Sequence, residues 1–166
     1  MRLPEQLFLL PLVLFASAGS AVAQVEKVAV RTTGISCGTC AAFSEIYLRR
    51  LAGVDAVTIS LSNEAILVSY KPGAAFQPQD IRDVLKRTDV GVLQFQISAR
   101  GRVQERGGNR VFVAGTDRFA LAAAPDAPQV PPDTPVLIEG TLNDQKDPME
   151  LKVMTVKPIK EPYERK

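Results

Sequence analysis

Cys37 and Cys40 are the only cysteines in the chain, three residues apart in Gly34-Ile35-Ser36-Cys37-Gly38-Thr39-Cys40. Two sulfurs at that spacing have three uses. They form a structural pair or local disulfide, cycle as a thioredoxin-like redox couple, or hold a soft metal ion as two thiolates. The 166-residue chain contains no His, which excludes Ser-His and Cys-His nucleophile pairs, His general bases and His metal sites. Zn²⁺ normally takes four ligands, and the sequence has no third Cys and no Asp or Glu between Glu26 and Glu45. Two sulfurs converging on one ion in nearly linear geometry suit Cu(I) or Hg(II) better than Zn²⁺. Lys and Arg number 20 against 18 Asp and Glu, a net charge of +2 that provides no strong field for nucleic acid or an acidic partner. Apolar residues at 46% and charged residues at 23% argue against a disordered chain.

These sulfurs need elements to position them. Residues 1–23 read as a signal peptide: Arg2, an apolar run from Leu7 to Phe15, then Ala21-Val22-Ala23 before Gln24. The run is too short to cross roughly 30 Å of hydrocarbon as a helix. Cleavage after Ala23, a periplasmic or secreted location and no membrane insertion afterwards are the expectations. From Gln24 to Gly101 the only prolines are Pro72 and Pro78, whereas eight of the twelve follow residue 120. That shift divides the chain into residues 24–100, with strands and helices, and 101–160, with strands and turns only. Residues 161–166 read as a flexible tail.

In the first part, Val28 and Val30 alternate with Ala29 and Arg31 as a strand, and the cysteine loop follows. A helix is expected from Cys40 to Leu51, burying Phe43, Tyr47 and Leu51 at spacing four. That start puts Cys40 in the first turn, where free N–H groups stabilise a thiolate. Strands are expected at 57–61 and from Ala65 to Tyr70. A second helix starts at Pro78 and buries Ile81, Val84 and Leu85, and a last strand carries Leu93, Phe95 and Ile97. The order β-α-β-β-α-β is that of an α+β, ferredoxin-like sandwich.

The loop and the order together resemble the heavy-metal-associated domain family. That family carries Gly-Met-Thr-Cys-x-x-Cys here; this chain has Ile35 for Met and Ser36 for Thr. Gly53-Val54 fits its helix-to-strand turn. The resemblance covers about residues 25–100. It implies Cys37 and Cys40 as metal ligands, with Ile35 packed beneath the loop. The family usually has Tyr or Lys just before the last strand; here the segment reads Thr88-Asp89-Val90-Gly91-Val92. Neither Tyr nor Lys stands there to sit beside a bis-thiolate; Arg31 is a candidate substitute, although a strand-end Arg is more often simply solvated.

After Arg100, five short strands without a helix fit a small β-barrel of the OB type or a hairpin-rich sandwich, with Phe112 and Phe119 in its core. Arg106-Gly107-Gly108-Asn109 is a hairpin turn. Arg100, Arg102, Arg106, Arg110 and Arg118 read as a solvated surface and not a nucleic-acid site, because stacking aromatics are scarce. Met149 and Met154 are soft thioethers, more often packing residues than ligands.

The function expected is metal carriage without enzymatic activity. The protein would be an exported carrier, chaperone or scavenger of Cu(I) or Hg(II), exchanging the ion with a metal-transporting membrane protein or another metal-binding domain. The alternatives are a thiol–disulfide redox protein using the same pair and an interaction module with incidental cysteines.

Overall fold

The structure is a computed structural model that describes residues 22–123 and 125–159. Residues 1–21 of the expected signal peptide and the tail 161–166 lie outside the described residues. The elements are β1 (Gln24–Thr33), α1 (Gly38–Leu48), β2 (Val54–Ser60), β3 (Ala65–Tyr70), α2 (Pro78–Lys86), β4 (Gly91–Arg106), β5 (Asn109–Ala114), β6 (Asp117–Leu121), β7 (Val136–Asn143) and β8 (Glu150–Pro158).

The first six form the ferredoxin-like β-α-β-β-α-β unit. Its antiparallel sheet has the order β2-β3-β1-β4. β3 and the start of α2 fall where the alternation and Pro78 place them. α2 buries Ile81, Val84 and Leu85, with Asp80 in its first turn and Lys86 in its last, each matching the helix dipole.

α1 differs from expectation in start and in face. It buries Ala41, Ser44 and Leu48. Phe43 and Ile46 are 51% and 46% exposed, and Tyr47 and Leu51 are only partly buried. Small side chains at 41 and 44 let the helix lie close to its neighbours. The Ser44 hydroxyl hydrogen-bonds that of Thr88 at 2.8 Å, a polar anchor that an apolar period does not register. Phe43 and Tyr47 stack on each other on the outside, ring centres 6.5 Å apart.

β4 is the second difference. It runs for 16 residues, so the boundary expected at residue 100 falls inside a strand. It pairs with β1 from Gly91 to Arg100, with β7 from Phe95 to Gly101, and with β5 from Arg102 to Arg106. β5 pairs antiparallel with β6, β6 parallel with β8, and β8 antiparallel with β7. A ring of five strands, β4-β5-β6-β8-β7, therefore closes on itself. Closure satisfies strand edges that a short all-β segment would otherwise leave open.

Alternate residues of a strand share a face. Phe95 and Ile97 belong to the core beneath the helices, and Ala99 and Val103 continue that face into the ring; all four are buried. Gly101 lies between them. A Cβ there would sit 2.1 Å from the Val113 carbonyl oxygen, so only glycine lets β5 approach. Phe112 and Phe119 fill the ring as expected, stacked at 6.5 Å. The buried residues of both halves form one cluster.

Besides the β4–β7 ladder, two side-chain carboxylates among the described residues tie the halves together. Asp117 at the start of β6 is buried and accepts from the Phe76 backbone N–H at 3.1 and 3.2 Å. Burial pushes its carboxyl above the ordinary range, with the Phe76 N–H opposing. Arg82 of α2 donates to Asp144, after β7, through Nε at 2.5 Å and Nη2 at 2.9 Å. Its guanidinium carbon lies 5.1 Å from the Phe95 ring centre. The hydrogen bonds from Arg82 hold the Asp144 carboxyl below its ordinary range. A depressed native carboxyl contributes stability above the unfolded value, about pH 4, and loses it as pH falls through the native value. Asp144→Asn should cost about 2 kcal/mol at neutral pH and much less near pH 2. Urea unfolding at both pH values measures the difference.

Candidate metal centre

The cysteine loop leaves β1 at Thr33. Its root is fixed from below: the Thr32 backbone N–H and hydroxyl both donate to the Glu64 carbonyl at 2.8 Å. Gly34 makes the turn with φ +82°, and a Cβ there would lie 3.1 Å from the Asp89 carbonyl oxygen. Ile35 is fully buried under the loop, as the resemblance implies. Cys37 is exposed and Cys40 half-buried.

α1 begins at Gly38 with Cys37 as its N-cap. The Cys37 Sγ accepts from the Cys40 backbone N–H at 3.0 Å, the position a Ser or Asp oxygen usually takes. Cys40 lies in the first turn of α1, as expected, but the sulfur that accepts from a free N–H there is that of Cys37. Cysteine is absent from the usual N-cap preferences, so the helix start was not legible. The two sulfurs are bonded to each other as a disulfide, with Cα atoms 5.3 Å apart.

The turn between α2 and β4 backs the loop. Thr88 reaches α1 through Ser44, and Asp89, at φ +55°, places its carbonyl against Gly34. Sequence reading named this segment for what it lacks and missed its role as the wall of the loop. Arg31 is exposed on β1, opposite Ala65 and Gln94. The methionines belong to other elements. Met154 on β8 is 49% exposed and accepts from the Thr141 hydroxyl at 3.4 Å, while Met149 packs against the core. Among the described residues no group of three or more Cys, Asp or Glu gathers that would hold a metal ion. Among the described residues, the two sulfurs are the soft donors that this loop offers to an ion. They must separate from each other first, to roughly twice a metal–sulfur bond of ~2.3 Å.

The β1–β4 unit with this loop is similar in sequence to a short part of the copper-transporting ATPases. Over 64 residues, 39% of the chain, the sequence is 39% identical to Copper-transporting ATPase 2 of Rattus norvegicus. It is likewise 39% identical over 61 residues to the protein of that name from Homo sapiens. Each match spans 4% of the relative's length. Among solved structures, the CopZ metallochaperone aligns with 40% of this chain and 98% of its own at 22% identity, TM-score 0.38. The yeast copper transporter domain Ccc2a aligns with 41% of this chain and 94% of its own at 24% identity, TM-score 0.36. No family model matches the chain.

Proposed function

We propose that this protein carries Cu(I) between Cys37 and Cys40 and passes it to a partner by thiolate exchange. The observation that carries the reading is the two-cysteine loop at the N-terminus of α1, set on a frame whose sequence resembles part of a copper-transporting ATPase. A partner thiolate attacks the bound ion, three sulfurs hold it briefly, and Cys37 or Cys40 then leaves. The natural partner is a metal-transporting membrane protein or a second domain of the same kind. The same two thiolates have the chemistry for Hg(II). No step in this exchange requires an enzyme.

The proposal includes export. Ala21-Val22-Ala23 after an apolar run supports cleavage and a periplasmic or secreted location. Among the described residues no helix is long and apolar enough to cross a membrane. The closed ring, with β6 and β8 parallel, supports reading the second half as an OB-like barrel. It adds a second docking surface to the metal domain.

Reduced, anaerobic protein should bind one Cu(I) ion in competition with a chelator of known affinity. Affinity no better than that of the double Ser variant would reject the proposal. One observation favours the redox alternative: a disulfide at a helix N-terminus. Turnover of a disulfide substrate would raise that reading above copper carriage.

A further inference from the structure

We propose that export leaves Gln24 as the first residue and that Gln24 then closes on its own side chain as a pyroglutamate lactam, the Gly73 N–H holding the carbonyl that is attacked. The inference rests on the export reading and adds a modification site to it. The cleavage pattern and the fold meet at one bond. Val22 and Ala23 are exposed, whereas Gln24 is 7% exposed and opens β1. Cleavage after Ala23 therefore removes no residue of the sheet, and Gln24 keeps its place opposite Arg100 of β4.

Glutamine is mostly a surface residue. Here its Oε1 accepts from the backbone N–H of Gly73, in the turn between β3 and α2. Only the oxygen of a side-chain amide can accept, so the way the group faces is fixed. Among the described residues nothing accepts from its Nε2. One end of the amide is thus polarised and the other is free to leave. The nucleophile is the α-amine that cleavage exposes. Its ordinary pKa of about 8 leaves a neutral fraction near pH 7, and it belongs to the same residue as the carbonyl it attacks.

The reaction balances without a co-reactant. The α-nitrogen forms a bond to Cδ, and the Cδ–Nε2 bond breaks. One proton passes from the α-nitrogen to Nε2, which departs as ammonia. Nothing is oxidised or reduced. The ring consists of N, Cα, Cβ, Cγ and Cδ of Gln24 alone. While Cδ is tetrahedral its oxygen carries negative charge, and the Gly73 N–H already bonded to that oxygen stabilises it. The product keeps the oxygen for Gly73 and replaces an ammonium at a buried strand end with a neutral amide. The mature chain then offers no α-amine to an aminopeptidase at the root of β1.

Three measurements test this. In protein exported by the cells that make it, the intact mass should match residues 24–166 less one ammonia. Reductive methylation should leave its N-terminal peptide unlabelled. A chain of full mass with a methylated Gln24 amine would overturn the lactam and leave export standing. A chain that keeps Met1, or begins at another residue, would overturn the cleavage reading and the lactam with it. The Gln24→Glu variant should lose no ammonia; its loss there would put the reaction on another side chain and overturn the assignment. Finally, the mature chain is released from an N-terminal fusion by a protease that leaves Gln24 first. The lactam should form roughly tenfold faster in native buffer than in guanidinium chloride. An equal or slower rate in the native chain would overturn the role of Gly73.

Discussion

Replacing either Cys37 or Cys40 with Ser is expected to lower the Cu(I) affinity of the reduced protein by about three orders of magnitude, ~4 kcal/mol. The number follows from donor count. Each substitution leaves one soft thiolate and a hard hydroxyl, and no neighbouring group among the described residues makes up the loss. The fold should survive, for a reason specific to each position. Ser at 37 is itself a strong N-cap, so its oxygen takes over the bond from the Cys40 N–H. Ser at 40 leaves that N–H and the Cys37 sulfur in place. Chelator competition gives the affinity, and far-UV circular dichroism should show wild-type helix content. Retention of wild-type affinity by both single variants would place the ion elsewhere.

A chain stopped after Arg100 tests the second half. Such a chain keeps all of β1–β3 and both helices, yet it loses β7, the partner of β4 from Phe95 to Gly101. It also loses Asp117 from the Phe76 N–H and Asp144 from Arg82. Phe76 and Phe95 meet edge to face at 6.2 Å and are both buried, at the seam that the cut exposes. Uncovering one such ring costs about 2 kcal/mol, and each lost charged hydrogen bond about the same. The shortened chain should melt well below the full one. In the full chain, both halves should unfold in a single transition. Two separate transitions would instead support the separable β unit expected from sequence.

Much of this architecture was legible because it rests on local signals. The alternation in Ala65–Tyr70, Pro78 before Ile81, and the turn at Arg106–Asn109 each encode their element within a few residues. The cysteine spacing marked the loop before α1 for the same reason. What the sequence hid depends on distant partners. Phe43 and Tyr47 have the period of a buried stripe, but the space under α1 is fitted to Ala41 and Ser44. Ile97 and Val103 look like parts of two strands until β7 is known to lie across residues 95–101. No pattern in the segment 88–92 announces that it walls the loop, because its role lies in a backbone carbonyl and one hydroxyl.

The ring also changes how the chain meets copies of itself. Among the described strands β2 is without a strand along the whole of one side, while β8 is flanked by β6 only at Glu150 and Leu151. One of its outward carbonyls, that of Val57, already accepts from Arg49 Nη2 at 3.1 Å, and Glu45 steadies that guanidinium. A fibre that grows by strand addition needs two open borders on every subunit, one to join and one to extend. Two molecules that meet through β2 use up that border on each, and further growth by strand addition has to start from the part of β8 beyond Leu151.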